Sequence, residues 1–386
     1  MLASEQRDFF KYKRSYLEVK QEIFLKYFDA WCNLSLLRLQ DNVNDTMLFV
    51  DLNTGGDVPT ESITGIDVNN QLYKTILAKP ALNQAIHPFF YNRSKDTLKA
   101  LQEGATALAF YEELHQPPRA ISGAEDKAAL ASLFASGCPS LLFMDPFENG
   151  YTKEMLQNAL ELGQTDVFML LNPENIAKSV LGKKVSMPLA ALFGEQLEVI
   201  KTYCKKEKDS FRRQEFILNS FISMLQKKGS FTLLFKINLP ESAQPYCYIL
   251  FASTDGQAYS IFKEVVLPYS IIKKDGVPEF EANGFIKPQF SLFEEPPIYT
   301  CENLLERVTK NASLYKYKSI EKIYTLDSCG TNYILQNYVA VFDAMRKAGK
   351  VDLLNAKTMQ TISKPTPSSI IKYKTCTTAV AEESAK

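Results

Sequence analysis

Histidine is nearly missing. His87 and His115 are the two in a chain of 386 residues, so a histidine triad or a multi-histidine metal site has almost no material. Seven cysteines stand at 32, 138, 204, 247, 301, 329 and 376, an odd number without a C-x-x-C spacing, which argues against a disulfide framework and a compact zinc site. An excess of charge is absent too: 44 Lys/Arg balance 44 Asp/Glu, so the chain as a whole is no coat for nucleic acid. No apolar run approaches the roughly 18 residues of a membrane span, and the opening MLASEQRDFFKYKR lacks the apolar core of a signal peptide. These absences predict a cytoplasmic protein, free of membrane and metal. What is present is ample core material, 46% apolar residues with 25 Phe and 19 Tyr, in a length that suits two domains.

Residues 7–38 read as an amphipathic helix. Tyr16, Val19, Ile23 and Tyr27 recur at helical spacing beside Phe24, Phe28 and Trp31, an aromatic face suited to packing on a sheet. Short apolar segments follow at 46–52, 88–91, 105–111, 139–144 and 165–171, separated by helical stretches such as 94–103, 126–136 and 152–162. Apolar on both faces, they read as parallel strands with crossover helices, hence a doubly wound, mostly parallel α/β sheet. A charged helical stretch at 196–228 then precedes strands 231–237 and 245–253, close enough to pair as a terminal antiparallel hairpin. This order is the one expected of a class I methyltransferase-type sheet. The predicted organisation is a helical segment 1–40 packed on the sheet, an α/β domain 41–270, and a proline-rich linker or hairpin-bearing connection 271–300. A small basic winged-helix-like domain 301–376 and a disordered tail 377–386 complete it. Residues 301–376 hold 12 Lys/Arg against 6 Asp/Glu, leaving the first 300 residues acidic.

Chemistry gathers where strands end. Residues 49–57, F-V-D-L-N-T-G-G-D, place Asp51 at the end of the first strand and Gly55 and Gly56 in a turn that a ligand backbone can approach closely. Two glycines also simply make a tight connection. The fourth strand ends in Asp145-Pro146-Phe147, across the same crevice in an open parallel sheet. A turn of this kind can offer an acceptor to an amine and an aromatic ring to a base; Asp-Pro is also ordinary turn chemistry. After the fifth strand, Asn172-Pro173-Glu174-Asn175 either lines that crevice or caps the next helix. Cys138 and Cys329 are the remaining nucleophile candidates, without a histidine partner for either.

Asp51-Leu52-x-x-Gly55, Thr64-Gly65, the run 141–147 (LLFMDPF), the Asn172–Ile176 turn, Phe193-Gly194 and the strand ending Tyr248-Ile249-Leu250-Phe251-Ala252 occur in an order that resembles the three-Cys-motif partner proteins. The C-terminal helix and flap extend the resemblance over about residues 10 to 375. It implies a class I SAM-methyltransferase-like domain with a winged-helix-like appendage. It also implies a protein partner of the three-cysteine-motif, radical-SAM-like kind, and a phage-defence or mobile-element setting. SAM would sit among Asp51, Asn53, Gly55, Gly56 and Asn92. Two departures weaken that site. Asp57 replaces the last glycine of the family's turn and brings a negative charge near the ligand carboxylate. Asn92 stands where the second strand normally ends in an acid for the ribose hydroxyls, which loses a charge-assisted hydrogen bond worth roughly 1.5–3 kcal/mol.

Two functions are therefore expected to compete. One is a methyltransferase-fold partner protein with a degraded SAM site, touching nucleic acid through Lys316, Lys318, Arg346, Lys347, Lys350, Lys357 and Lys364. The other is an active SAM-dependent methyltransferase acting on an amine of a nucleobase, with Asp145, Pro146 and Phe147 as its catalytic turn.

Overall fold

The computed structural model describes residues 16–40, 45–52, 66–147, 150–162, 165–182, 185–238, 245–282 and 298–374. They divide into two compact units. One holds the residues up to Ser270 and the segment Phe280–Ala282; the other holds Ile271–Glu279 and the residues from 298 onward.

In the large unit, β1 (Met47–Asp51), β2 (Ile86–Phe90), β3 (Arg119–Ala120), β4 (Ser140–Met144) and β5 (Thr165–Leu171) run parallel. The hairpin of β6 (Phe231–Asn238) and β7 (Pro245–Ser253) docks with β7 antiparallel to β5. Two short strands, β8 (Ile271–Ile272) and β9 (Pro278–Glu279), belong to the second unit, after which β10 (Glu281–Ala282) returns to pair parallel with β6. The resulting eight-stranded order is β3-β2-β1-β4-β5-β7-β6-β10. Crossovers are helical: α1 (Tyr16–Gln40), α2 (Ile66–Leu77), α3 (Pro80–Ala85), α4 (Lys95–Thr106), α5 (Ala124–Ala135), α6 (Gly150–Leu162), α7 (Pro173–Leu181), α8 (Met187–Phe193), α9 (Gln196–Lys206), α10 (Ser210–Lys227) and α11 (Gly256–Val266).

Helices cover both faces, which is why β1, β4 and β5 are buried along their whole length and read as unbroken apolar runs. On one face Val50, Met144, Met169 and Leu250 pack with Leu192, Ile217 and Phe221 of α8 and α10. On the other, α1 lays Phe24 against Phe143 (ring centroids 4.6 Å apart) and Tyr27 against Phe251 (4.9 Å), and α11 adds Phe262. These offset and edge contacts add to the burial of large rings.

Two sequence expectations need correction. Residues 105–111 are no strand: Ala105 and Thr106 complete α4, and the Ala107 amide still donates to Glu103 at 3.0 Å. That alanine-rich run follows its helix propensity, while the third strand is the two-residue edge β3, directly after Pro117 and Pro118. The stretch 196–228 is two helices. Asp209 separates them, its carboxylate capping α10 by accepting the Phe211 and Arg212 amides at 2.8 and 3.0 Å.

The second unit packs α12 (Cys301–Lys310), α13 (Ala312–Tyr315), α14 (Ile320–Asp327) and α15 (Leu335–Lys347) with the antiparallel pair β11 (Val351–Leu354) and β12 (Ile370–Tyr373). Its core joins Val277, Leu304, Ile323, Tyr338, Phe342 and Ile371. Inside it, the Asp327 carboxylate accepts the hydroxyls of Tyr315 (2.6 Å) and Tyr338 (2.7 Å) and Arg307 Nε (2.8 Å). That satisfied network ties α12, α13, α14 and α15 together. Of the segment expected as a connection, 271–279 is part of this unit. The β8–β9 turn needs the left-handed φ of +84° at Gly276, and Asn337 Nδ2 donates to the Gly276 carbonyl at 2.7 Å. Asn337 also accepts the Ile334 amide at 2.9 Å, which starts α15 at Leu335. The expected tail 377–386 lies outside the described residues.

Candidate functional site

The carboxyl ends of β1, β2 and β4 meet where the sheet's strand order reverses. Asp51, the last residue of β1, pairs with Phe90 of β2 on one side and Phe143 of β4 on the other. Hydrogen bonds carry this alignment one residue further: the Leu52 amide reaches Phe143 O and the Tyr91 amide reaches Asp51 O, both at 2.8 Å. Asp51, Asn92 and Asp145 are thus brought to one edge of three adjacent strands. Such a switch point is where open α/β sheets hold ligands. The candidates Asn53, Gly55 and Gly56, with Asp57, lie outside the described residues.

The turn after β4 is held rigidly. Asp145 Oδ1 accepts the Phe147 amide at 2.8 Å, and the Phe147 carbonyl accepts the Ser179 hydroxyl of α7 at 2.7 Å. Pro146 fixes the backbone between them. The Asn175 side chain, also from α7, hydrogen-bonds the Asp145 carboxyl. Asp145 is buried, and burial pushes its pKa up to about 6 although the Phe147 amide, Asn175 and the charge of Lys153 pull it down. A carboxyl so placed can take up or return a proton near neutral pH.

Lys153, on the first turn of α6, is buried beside this carboxyl. Its burial lowers the ammonium pKa and the Asp145 charge raises it, so the two groups support each other's ionisation. Sequence reasoning missed Lys153. The available signal was a lone lysine on the helix that begins just after the Asp-Pro turn.

Phe147 is placed differently from the expected stacking shelf. Its ring is 2% exposed and packs edge-on against Phe221 at 5.1 Å, inside the core beneath α10. A half-apolar turn next to an apolar helix face gains more from burying that ring than from showing it. Asn92 Oδ1 accepts the Ser94 amide at 2.7 Å, part of the turn that starts α4. Asn172 precedes α7, and its carbonyl accepts the Ile176 amide. Cys138 is buried, its thiol directed to the Leu133 carbonyl.

In the second unit the seven basic candidates fall into separate places. Lys316 and Lys318 flank Tyr317 in the turn before α14, against β12: the Tyr317 amide donates to Ile371 O at 2.7 Å. Lys316 lies over the Tyr317 ring at 5.4 Å, and that ring is half exposed on a residue with φ of 59°. A bulky side chain in the left-handed region is rare and marks a constrained position, and Tyr317 was not singled out from the sequence. Arg346 and Lys347 both reach Asp343, at 2.9 and 2.8 Å, which neutralises much of their charge. Lys350 precedes β11, while Lys357 and Lys364 lie in the connection from β11 to β12.

Among the described residues no helix is long and apolar enough to cross a membrane, and no group of three or more His, Cys, Asp or Glu is placed to hold a metal ion. Compared with family models, with curated proteins and with solved structures, the chain finds no match in any of the three.

Proposed function

We propose that this protein is a methyltransferase-fold partner protein. Its large unit is a class I methyltransferase-type domain whose SAM site has lost anchoring groups and which acts with a second protein; its second unit is a winged-helix-type module that contacts nucleic acid. One observation carries the reading: five parallel strands in the order β3-β2-β1-β4-β5, closed by an antiparallel β7 and then β6. Fold alone does not set activity, so the site decides between partner and enzyme. Asn92 stands in for a ribose-binding acid and spends an acceptor on Ser94, and the Asp145 turn keeps its aromatic ring in the core. Both features favour the partner. The order from α12 to β12, four helices of which α13 is a single turn and then a hairpin, with Ser319 bridged to Ile370 at the hairpin's edge, supports the winged-helix reading.

The second reading, an active methyltransferase for a nucleobase amine, is favoured by the rigid Asp145 turn, whose carboxyl is already oriented by Phe147, Asn175 and Lys153. Calorimetry of the full chain with SAM and with its demethylated product separates the two. The partner reading expects no saturation at micromolar ligand; micromolar binding together with methyl transfer to a nucleic acid would replace it with the enzyme.

A further inference from the structure

Beside Asn92 the large unit has a cleft of about 560 Å³ between α4 and the β3–α5 turn. Its size is that of a small-molecule site. Leu98 and Ile121, both buried, contribute its apolar lining, and Arg93, Lys95, Lys99 and Lys127 bring four cations to it. No carboxylate is among the described residues that line it. Of the acids nearby, Asp126 takes Arg119 at 2.8 Å and the Ser122 and Gly123 amides at 3.0 and 3.1 Å, Glu103 meets the cleft's Lys99 loosely at 3.7 Å, and Asp96 stands on the first turn of α4.

The position is as telling as the charge. The cleft opens at the carboxyl ends of the parallel strands β2 and β3, aligned by the Ile121 amide on Phe90 O at 2.8 Å. The first turns of α4 and α5, each 12 residues long, lie at its two sides. Strand ends of this kind hold nucleotides, and basic residues in place of a ribose-binding acid are how such sites accommodate a phosphate. SAM carries a sulfonium and an ammonium against one carboxylate, so four cations oppose it. A nucleoside phosphate reverses that sign.

We infer that this cleft is a binding site for a phosphorylated nucleotide, with the base against the half-buried Tyr91 and Ala120 of its lining and the phosphates among Arg93, Lys95 and Lys99. The inference goes beyond the partner reading and does not depend on it, because it rests on the lining of one cleft and not on the strand order.

Titration calorimetry of the full chain in low salt tests it with ADP, adenosine, SAM and a short single-stranded oligonucleotide as separate ligands. ADP is expected to saturate and to bind at least about tenfold tighter than adenosine, since the charged hydrogen bonds go to the phosphates. The double variant Lys95→Ala/Lys99→Ala, both exposed on α4, weakens ADP by about tenfold or more, while the charge-matched Lys227→Ala/Lys228→Ala at the end of α10 leaves it unchanged. ADP binding equal to adenosine, absent at millimolar concentration or indifferent to the α4 variant would overturn the inference. Oligonucleotide binding lost in the α4 variant, without ADP binding, would overturn it in favour of a nucleic-acid groove. Tight SAM binding, whatever ADP does, bears on the partner reading alone.

Discussion

Replacing Asp145 by Asn removes a buried ionisable carboxyl while keeping an oxygen that can accept the Phe147 amide. In the folded protein burial holds this carboxyl up at about 6, against the pull of the Phe147 amide, Asn175 and Lys153. In the unfolded chain an aspartate gives up its proton near pH 3.9, roughly. Between those two values the folded state binds more protons than the unfolded one, so stability falls as pH rises from about 4 to about 6 and is level above that. The gap is worth about 3 kcal/mol, because each pH unit of it carries about 1.4 kcal/mol. Burial raises Asp166 to about 6 as well and raises Glu264, while the half-buried His87, held below its usual value, works in the opposite direction, so Asp145→Asn removes only part of the wild-type change. The assay is urea unfolding at a series of pH values, followed by fluorescence of Trp31. Trp31 is the only tryptophan and is buried on α1, so its signal belongs to the large unit. Loss of the Lys153 attraction changes the level of the variant's stability, which makes the slope between pH 4 and 6 the readout. Parallel slopes for wild type and variant would refute the reasoning.

Three further outcomes follow from the same contacts. Asp327→Ala leaves Arg307, Tyr315 and Tyr338 without their shared acceptor and should cost about 3–5 kcal/mol, read as faster hydrogen exchange across α12, α14 and α15; unchanged exchange there would mean the network is dispensable. Phe147→Ala should lower large-unit stability by about 3–5 kcal/mol in the Trp31 assay, and a loss below about 1 kcal/mol would show that the ring is not core. If the second unit binds DNA or RNA, Lys316→Ala/Lys318→Ala should reduce the salt slope of binding by about two, whereas Arg346→Ala, whose charge is already met by Asp343, should change it less. An equal loss from all three positions, in filter-binding or anisotropy titrations, would contradict the neutralising role of Asp343.

What could be read from the chain depends on whether a signal is local. β1, β4 and β5 stand out because strands buried on both faces need continuous apolar residues, and their sequences have no other use. β3 is invisible because a two-residue edge strand contributes almost no pattern, while the apolar run before it satisfies a helix end equally well. Asp145 is legible as Asp-Pro at a strand end. The direction of Phe147 is not, since the same turn can face a ring outward or inward and only the packing of Phe221 from α10 decides it. Lys153 hides for a similar reason: lysine on an amphipathic helix is ordinary, and its burial beside Asp145 is set by tertiary packing rather than by its neighbours in the chain.

Charge shows the same division. A net charge of zero conceals an excess of six cations in 301–376 and a deficit in the first 300 residues, yet neither sum predicts where an anion would be held. Exposed charges act over a screening length of about 8–10 Å, so what counts is which charges stand together. In the basic second unit Arg346 and Lys347 share Asp343 and Lys374 meets Asp352 at 2.9 Å, so some of its cations have an acid beside them. In the acidic large unit, residues 93, 95 and 99 at the start of α4 and residue 127 on α5 come from two segments that the parallel crossover sets around one cleft, with no lining carboxylate among the described residues. A compact ligand of two or three charges suits such a cleft, whereas the affinity of a long polyanion falls far more steeply with salt.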